Sequence, residues 1–253
     1  MTAYDDALAL LRESFHGGGE GAFYLDALAA ITAPEIDWLE VGIGASARSV
    51  MPFVRALDND GRTVRLVGVD PDAQSGNLEF GRSRIRLVGG PFEDFPLTES
   101  YTVVSMDQSL YYLREPRAQL ARAISALRPR GLLIVTCWSS EDTMCRLHRA
   151  LLEDASTDVT GEAVYEWLMA SEDVVDVHRE LFRSRVDLAT WRGSRTHMEA
   201  ALTILLRGRA PDSMRRQLLE RLATMLEAGD ADGVRLNVAL SARRTAASAP
   251  PPC

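Results

Sequence analysis

Trp38-Leu39-Glu40-Val41-Gly42-Ile43-Gly44-Ala45-Ser46 decides how the rest of this chain is read. Ile36 to Val41 is a short apolar run of the kind a buried strand shows, and it ends beside a carboxylate. Two glycines then break the pattern. Glycine suits such a turn because it admits positive φ and leaves no side chain between the backbone and a ligand. Ser46 to Leu57 reads as the following helix, with Pro52 in the first two turns, where proline is best tolerated. Val64 to Val69 is a second strand, so the unit is βαβ. Asp70 closes that strand in Val67-Gly68-Val69-Asp70, where its carboxylate can accept two hydrogen bonds from a ribose diol. A bare strand-to-helix connection would account for the glycines alone, but not for Asp70.

Working outward, Arg84 to Val88 and Thr102 to Met106 are further strand candidates, Pro116 to Leu127 a helix, and Leu132 to Cys137 a fifth strand opened by Gly131. This alternation predicts an open, mostly parallel α/β sheet covered on both faces, with a ligand crevice at the carboxyl ends of its strands. After Cys137 the pattern turns helical, at Asp142 to Glu153 and Gly161 to Ala170, followed by a strand-like Val177 to Leu188. Two more helices, His197 to Arg207 and Asp212 to Glu227, precede an alternating strand, Val234 to Ala242. At the other end, Ala3 to Phe15 and Ala22 to Ile31 are helical, separated by a flexible joint at Gly17, Gly18 and Gly19. The expected organisation is a helical cap or lid over residues 1–35, one catalytic domain over 36–244, and an Ala/Pro-rich disordered tail over 245–253.

Composition removes several alternatives. The net charge is −8, which has the wrong sign for nucleic-acid binding, and no run is apolar and long enough to span a membrane. All 28 basic residues are arginines, so Schiff-base and P-loop lysine chemistries are excluded. Cys137, Cys145 and Cys253 have no zinc-like spacing, His16, His148, His178 and His197 are scattered, and no metal is expected. The first residues carry Asp5 and Asp6 and lack the basic start of a secretory signal, so a cytoplasmic monomer or homodimer is the expectation.

Glu40-Val41-Gly42-Ile43-Gly44, then Val69-Asp70-Pro71, then Phe92-Glu93-Asp94-Phe95-Pro96 resemble, in order, the successive motifs of class I S-adenosylmethionine (SAM)-dependent methyltransferases. The resemblance implies a Rossmann-like seven-stranded sheet with a reversed C-terminal strand, helical insertions after strand five, and SAM as cofactor. It places Gly42 and Gly44 along the methionine part, Asp70 at the ribose and Phe92 at the adenine, with Glu40, Ser46, Pro71 and Asp107 as further cofactor-binding residues. Many members carry an aspartate where Pro91 stands, so a side-chain contact to the adenine amine is missing here. The competing reading is a dinucleotide-binding oxidoreductase, because Gly42, Gly44 and Ala47 also satisfy a GxGxxA fingerprint. A catalytic tyrosine-lysine pair is impossible in a lysine-free chain. A SAM-binding protein without catalysis is the other alternative.

Met106-Asp107-Gln108-Ser109-Leu110-Tyr111-Tyr112 is similar to the corresponding segment of the histamine N-methyltransferases, in which Glu20 falls near a substrate-binding glutamate. That likeness implies a small aromatic amine acceptor, of imidazole or indole type, with Glu20 holding its cationic nitrogen, Gln108 orienting a ring nitrogen, and Tyr111 and Tyr112 as aromatic walls. His16 is a candidate proton acceptor if its segment folds over the acceptor. Asp142 and Arg146 stand where that family carries tryptophans, so histamine itself is not the expected acceptor. In the same family the relevant asparagine aligns with Val238 rather than Asn237. Methylation of an indole ring carbon is the alternative reaction.

Overall fold

The computed structural model describes residues 3–45, 47–152, 159–206, 212–229 and 233–246, so Ser46 and the tail from 247 onward lie outside the described residues. In chain order the elements are α1 (Ala3–Arg12), β1 (Phe15–His16), α2 (Glu20–Ala29), β2 (Glu35–Val41), α3 (Met51–Asn59), β3 (Thr63–Asp70), β4 (Gly76–Phe80), β5 (Ser83–Gly89) and β6 (Tyr101–Asp107). They continue with α4 (Pro116–Ser125), β7 (Leu127–Trp138), α5 (Thr143–Leu152), α6 (Gly161–Met169), β8 (Val174–Val186), α7 (Leu188–Arg192), α8 (Arg195–Leu206), α9 (Asp212–Ala228) and β9 (Val234–Arg244).

The strands form one sheet in the order β1-β8-β9-β7-β6-β2-β3-β5-β4. β2 runs parallel to both β3 and β6, β3 to β5, and β6 to β7, whereas β9 is antiparallel to both its neighbours, β7 and β8. The reversed terminal strand is therefore present, but the sheet has nine strands among the described residues rather than seven. The two additions sit at the edges. β1 is only two residues long, and β4 has no buried position in its first four residues, so neither carries an alternating apolar signal. The helix after the glycine bend also starts later than expected, at Met51, because Pro52 occupies its first turn and residues 48–50 form a turn.

The pleat divides the core into two faces. Ile36, Trp38, Leu66, Val103, Leu132, Ile134 and Ala239 point to the side covered by α2 and α3, which bury Phe23, Tyr24, Leu28, Val54 and Leu57 there. Leu39, Val41, Val104, Met106, Leu133, Val135, Val238 and Leu240 point to the other side, under α4, α5 and α8. By the period of two, Glu40, Ser105, Asp107, Thr136 and Asn237 belong to the α2 face.

The N-terminal segment is tied to this body at several points. β1 pairs with β8, Phe15 opposite Val186 and His16 opposite Arg185. Trp191 Nε1 donates to Ser14 Oγ at 2.9 Å. Arg62 donates to the carbonyls of Leu28 and Ile31 at 3.1 and 3.0 Å, closing the carboxyl end of α2. The joint at Gly17 to Gly19 is packed rather than free, since a Cβ on Gly19 would lie 2.5 Å from the Phe182 ring. No described helix is long and apolar enough to cross a membrane.

Candidate functional site

The carboxyl ends of the parallel strands bring the glycine bend and Asp70 together. Gly42 has φ +83° and Gly44 φ +72°, values that favour glycine. The backbone N–H of Gly44 donates to Asp70 Oδ2 at 3.0 Å, and the Asp72 N–H donates to Oδ1 at 2.8 Å. The two glycines do different work. A Cβ on Gly42 would sit 2.3 Å from Ser109 Cβ, so this glycine allows the bend to press against the loop after β6. A Cβ on Gly44 would meet no described atom within 4 Å, so the space above it is open to a ligand. An adenosine-bearing cofactor fits these features: a carboxylate at a strand end, a bend without side chains, and open space above the second glycine.

Beside the bend lies a network of acids on the α2 face. Glu40 is fully buried, accepts from Ser105 Oγ, and has the Asp107 N–H at 3.4 Å. Burial, and the nearby Asp107 carboxylate, push the Glu40 carboxyl up to about 8. Asp107, which accepts from Thr136 Oγ1, is likewise raised by burial and by Glu20, against the opposing effect of Thr136 and Arg12. Glu20 differs. Burial would raise it, but hydrogen bonds from Asn237 Nδ2 and from the backbone at Glu20 and Gly19, with Arg235 nearby, outweigh burial and hold it below the usual carboxylate range. It stays ionised at neutral pH, which suits a cation-holding group better than a proton acceptor.

The two tyrosines expected as aromatic walls pack together beside Trp138. Tyr111 OH donates to Gln108 Oε1 at 2.8 Å, and the Tyr111 ring lies 4.9 Å from both Tyr112 and Trp138. Tyr4 of α1 meets Tyr112, the two hydroxyls 2.7 Å apart and the rings edge to face. Gln108 has φ +50° and its N–H reaches Thr136 O and Oγ1, both at 3.1 Å. The turn between β6 and the tyrosines is thus strained and pinned to β7.

Other expected residues stand apart from this cluster. His16 is exposed on the edge strand β1, opposite Arg185. Phe92 is buried under the Arg122 guanidinium, 4.6 Å from its ring, and its carbonyl accepts from Arg122. Pro71 is exposed in the turn after β3. Asn237 corrects the sequence reading: it faces α2 and Glu20, whereas Val238 lies on the opposite face, close enough that a Cβ on Gly161 would touch it at 2.2 Å. In register Asn237 pairs with Trp138, which puts it at the same sheet edge as the strand ends. Asp142, at a position where the resemblance implies a tryptophan, is buried and accepts from the Leu236 and Met144 N–H groups, both at 2.6 Å. A hollow of about 420 Å³ at the opposite sheet edge, lined by Asp37, Arg65, Glu99 and Arg128, is occupied by its own ion pairs from Arg65 and Arg128 to Asp37.

Sequence reasoning missed Tyr24, Tyr4 and the Glu20–Asn237 pair. Tyr24 follows Glu20 by one helical turn, and that i,i+4 spacing was the available signal.

No protein-family model matches the chain, and no curated protein matches it in sequence. Solved structures do. The YcgJ protein from Bacillus subtilis shares 13% identity at a TM-score of 0.55, covering 90% of this chain and 99% of that one. A mycolic acid cyclopropane synthase, solved with S-adenosylhomocysteine, shares 16% at a TM-score of 0.52 over 88% and 84% of the two chains. A phosphoethanolamine N-methyltransferase from Haemonchus contortus, solved with phosphomonomethylethanolamine and S-adenosylhomocysteine, shares 11% at a TM-score of 0.51, covering 91% of this chain and 53% of that one. At these identities the likeness is one of architecture: the chain has the α/β, Rossmann-like fold of the SAM-dependent methyltransferases, with a mostly parallel mixed sheet.

Proposed function

We propose that this protein transfers a methyl group from SAM to a small amine acceptor of aromatic, imidazole- or indole-type character. The observation that carries the reading is Asp70, whose carboxylate meets the side-chain-free bend at Gly44 beside open space. Gly42, Gly44 and Asp70 would hold the cofactor, with Glu40 and Asp107 flanking it. When bound, SAM supplies an electrophilic methyl carbon; the protein contributes alignment and a dry pocket.

Glu20, kept ionised by Asn237 and Arg235, holds a cationic acceptor in place. An ammonium must lose a proton before its lone pair can attack. The Asp107 carboxyl, raised by burial, is better matched to take that proton than Glu20. Gln108 and the tyrosine wall orient the ring. The reversed strand β9 favours this reading over a dinucleotide-dependent oxidoreductase, because it supplies Asn237 to the site. Carbon methylation of an indole is the alternative reaction, and it requires a proton acceptor facing the ring nitrogen.

The test is mass spectrometry of products after incubation with SAM and a panel of imidazole and indole amines. A product heavier by one methyl group establishes the reaction, and fragmentation separates nitrogen from carbon. Binding of NAD with none of S-adenosylhomocysteine would contradict it.

A further inference from the structure

Tyr24 is almost wholly buried, at 2% exposure, yet its hydroxyl has no hydrogen-bond partner. A buried hydroxyl without a partner is costly, and natural proteins seldom keep one unless something outside the chain satisfies it. Its position is informative. Tyr24 lies on α2 one turn after Glu20, and that helix covers the face of the sheet on which Glu40 and Asp107 end their strands. The ring stacks on Phe53 at 4.8 Å and 14°, and Phe53 belongs to α3, the helix that the glycine bend feeds. Burial first, and then Asp107, Glu40, Cys137 and Glu20 acting electrostatically, push the hydroxyl well above its ordinary pKa. Among the described residues, Arg12 acts on Asp107 and Arg235 on Glu20, each favouring the ionised carboxylate.

A hydroxyl so placed meets a ligand through its oxygen. The ionised Glu20 and the carboxyl oxygens of Glu40 and Asp107 disfavour a ligand carboxylate and favour an ammonium, which can donate one N–H to Tyr24 and others to the carboxyl oxygens of Glu40 and Asp107. The acceptor's aromatic wall, Tyr111, Tyr112 and Trp138, is a separate cluster. The stack on Phe53 instead ties Tyr24 to the bend side.

We propose that Tyr24 is a cofactor-binding residue, its hydroxyl oxygen accepting an N–H from the α-ammonium of the amino-acid end of SAM. The proposal rests on the SAM reading above and adds a residue from the N-terminal segment, so that α2 takes part in binding the cofactor as well as covering the sheet.

The experiment is calorimetry of Tyr24→Phe with two probes, S-adenosylhomocysteine, which carries the ammonium, and 5′-methylthioadenosine, which lacks the whole amino-acid end. Thermal denaturation of the ligand-free variant serves as the folding control. Tyr24→Phe removes only the oxygen without a partner, so its Tm without ligand is expected to equal or exceed that of the parent. Affinity for S-adenosylhomocysteine is expected to fall about tenfold, and that for methylthioadenosine to stay within about twofold. Equal weakening of both probes, or of neither, overturns the assignment. Failure of the parent protein to bind either probe instead overturns the SAM reading on which it rests.

Discussion

The bend at Gly42 to Gly44 and the cap formed by α2 meet at one sheet edge, but different parts of the chain assemble them. The bend is local: two glycines with positive φ follow directly on β2, and the Asp70 that bonds to Gly44 lies 26 residues on, at the end of the adjacent parallel strand. The cap is held by a hydrogen bond between residues 217 positions apart, Glu20 and Asn237, and by packing of Phe23, Tyr24 and Leu28 on strands from both halves of the chain. Local sequence therefore carries the chemistry of the bend but not that of the cap. A turn needs particular residues at fixed spacing, whereas a cap needs only a surface that fits.

The two glycines give the largest expected effect. Gly42→Ala would force a Cβ to 2.3 Å from Ser109 and strain a φ of +83°, and is expected to cost more than about 3 kcal/mol in urea denaturation. Gly44→Ala has room and only the strain of its φ, so about 1 kcal/mol is expected, with the loss falling on S-adenosylhomocysteine binding instead. Equal stability losses would break the division between a packing glycine and a ligand-facing one.

A second contrast is between the buried acids and the cap's ionised one. Glu40 titrates at about 8 in the folded chain against 4.5 ordinarily, so across that window the folded state binds more protons than the unfolded. Stability contributed by the protonated carboxyl is then complete below 4.5 and lost as pH rises through about 8, with a slope of up to roughly 1.4 kcal/mol per pH unit. Raised Asp107 adds to the same trend. Glu40→Gln should flatten it, gaining on the parent by on the order of 2–4 kcal/mol by pH 8 to 9, as read from chemical denaturation across pH. A parent curve that rises over this range contradicts the burial argument. The cap gives a smaller effect than the buried acid: Asn237→Ala removes the Glu20 partner at a cost of about 1–3 kcal/mol, while S-adenosylhomocysteine affinity stays within about twofold.

The same contrast explains what was legible. The βαβ unit and a strand over Val234 to Ala242 follow from apolar periodicity, the reversal of that strand follows from the methyltransferase resemblance, and Asp70 is legible because a strand end after a glycine turn is a position with a chemical meaning. The edge strands β1 and β4 carried too little alternation to be seen. His16 looked suited to proton transfer because it adjoins the glycines, but β-pairing with Arg185 leaves it exposed at the sheet edge. Asn237 was set aside because one residue of register decides which face a strand position occupies, and that register is fixed by pairing with Trp138 and Phe182. Tyr24 falls in the helical run Ala22 to Ile31, where only its i,i+4 spacing from Glu20 sets it apart in sequence; in the structure its hydroxyl without a partner distinguishes it.

The central claim is that Asp70 and the bend at Gly44 form one nucleoside-binding edge. Calorimetric titration of the parent and of Asp70→Ala with S-adenosylhomocysteine tests it most directly: binding to the parent and a loss of roughly tenfold to a hundredfold in the variant is the predicted result. An affinity unchanged by removing the carboxylate, in a variant that remains folded, would contradict it.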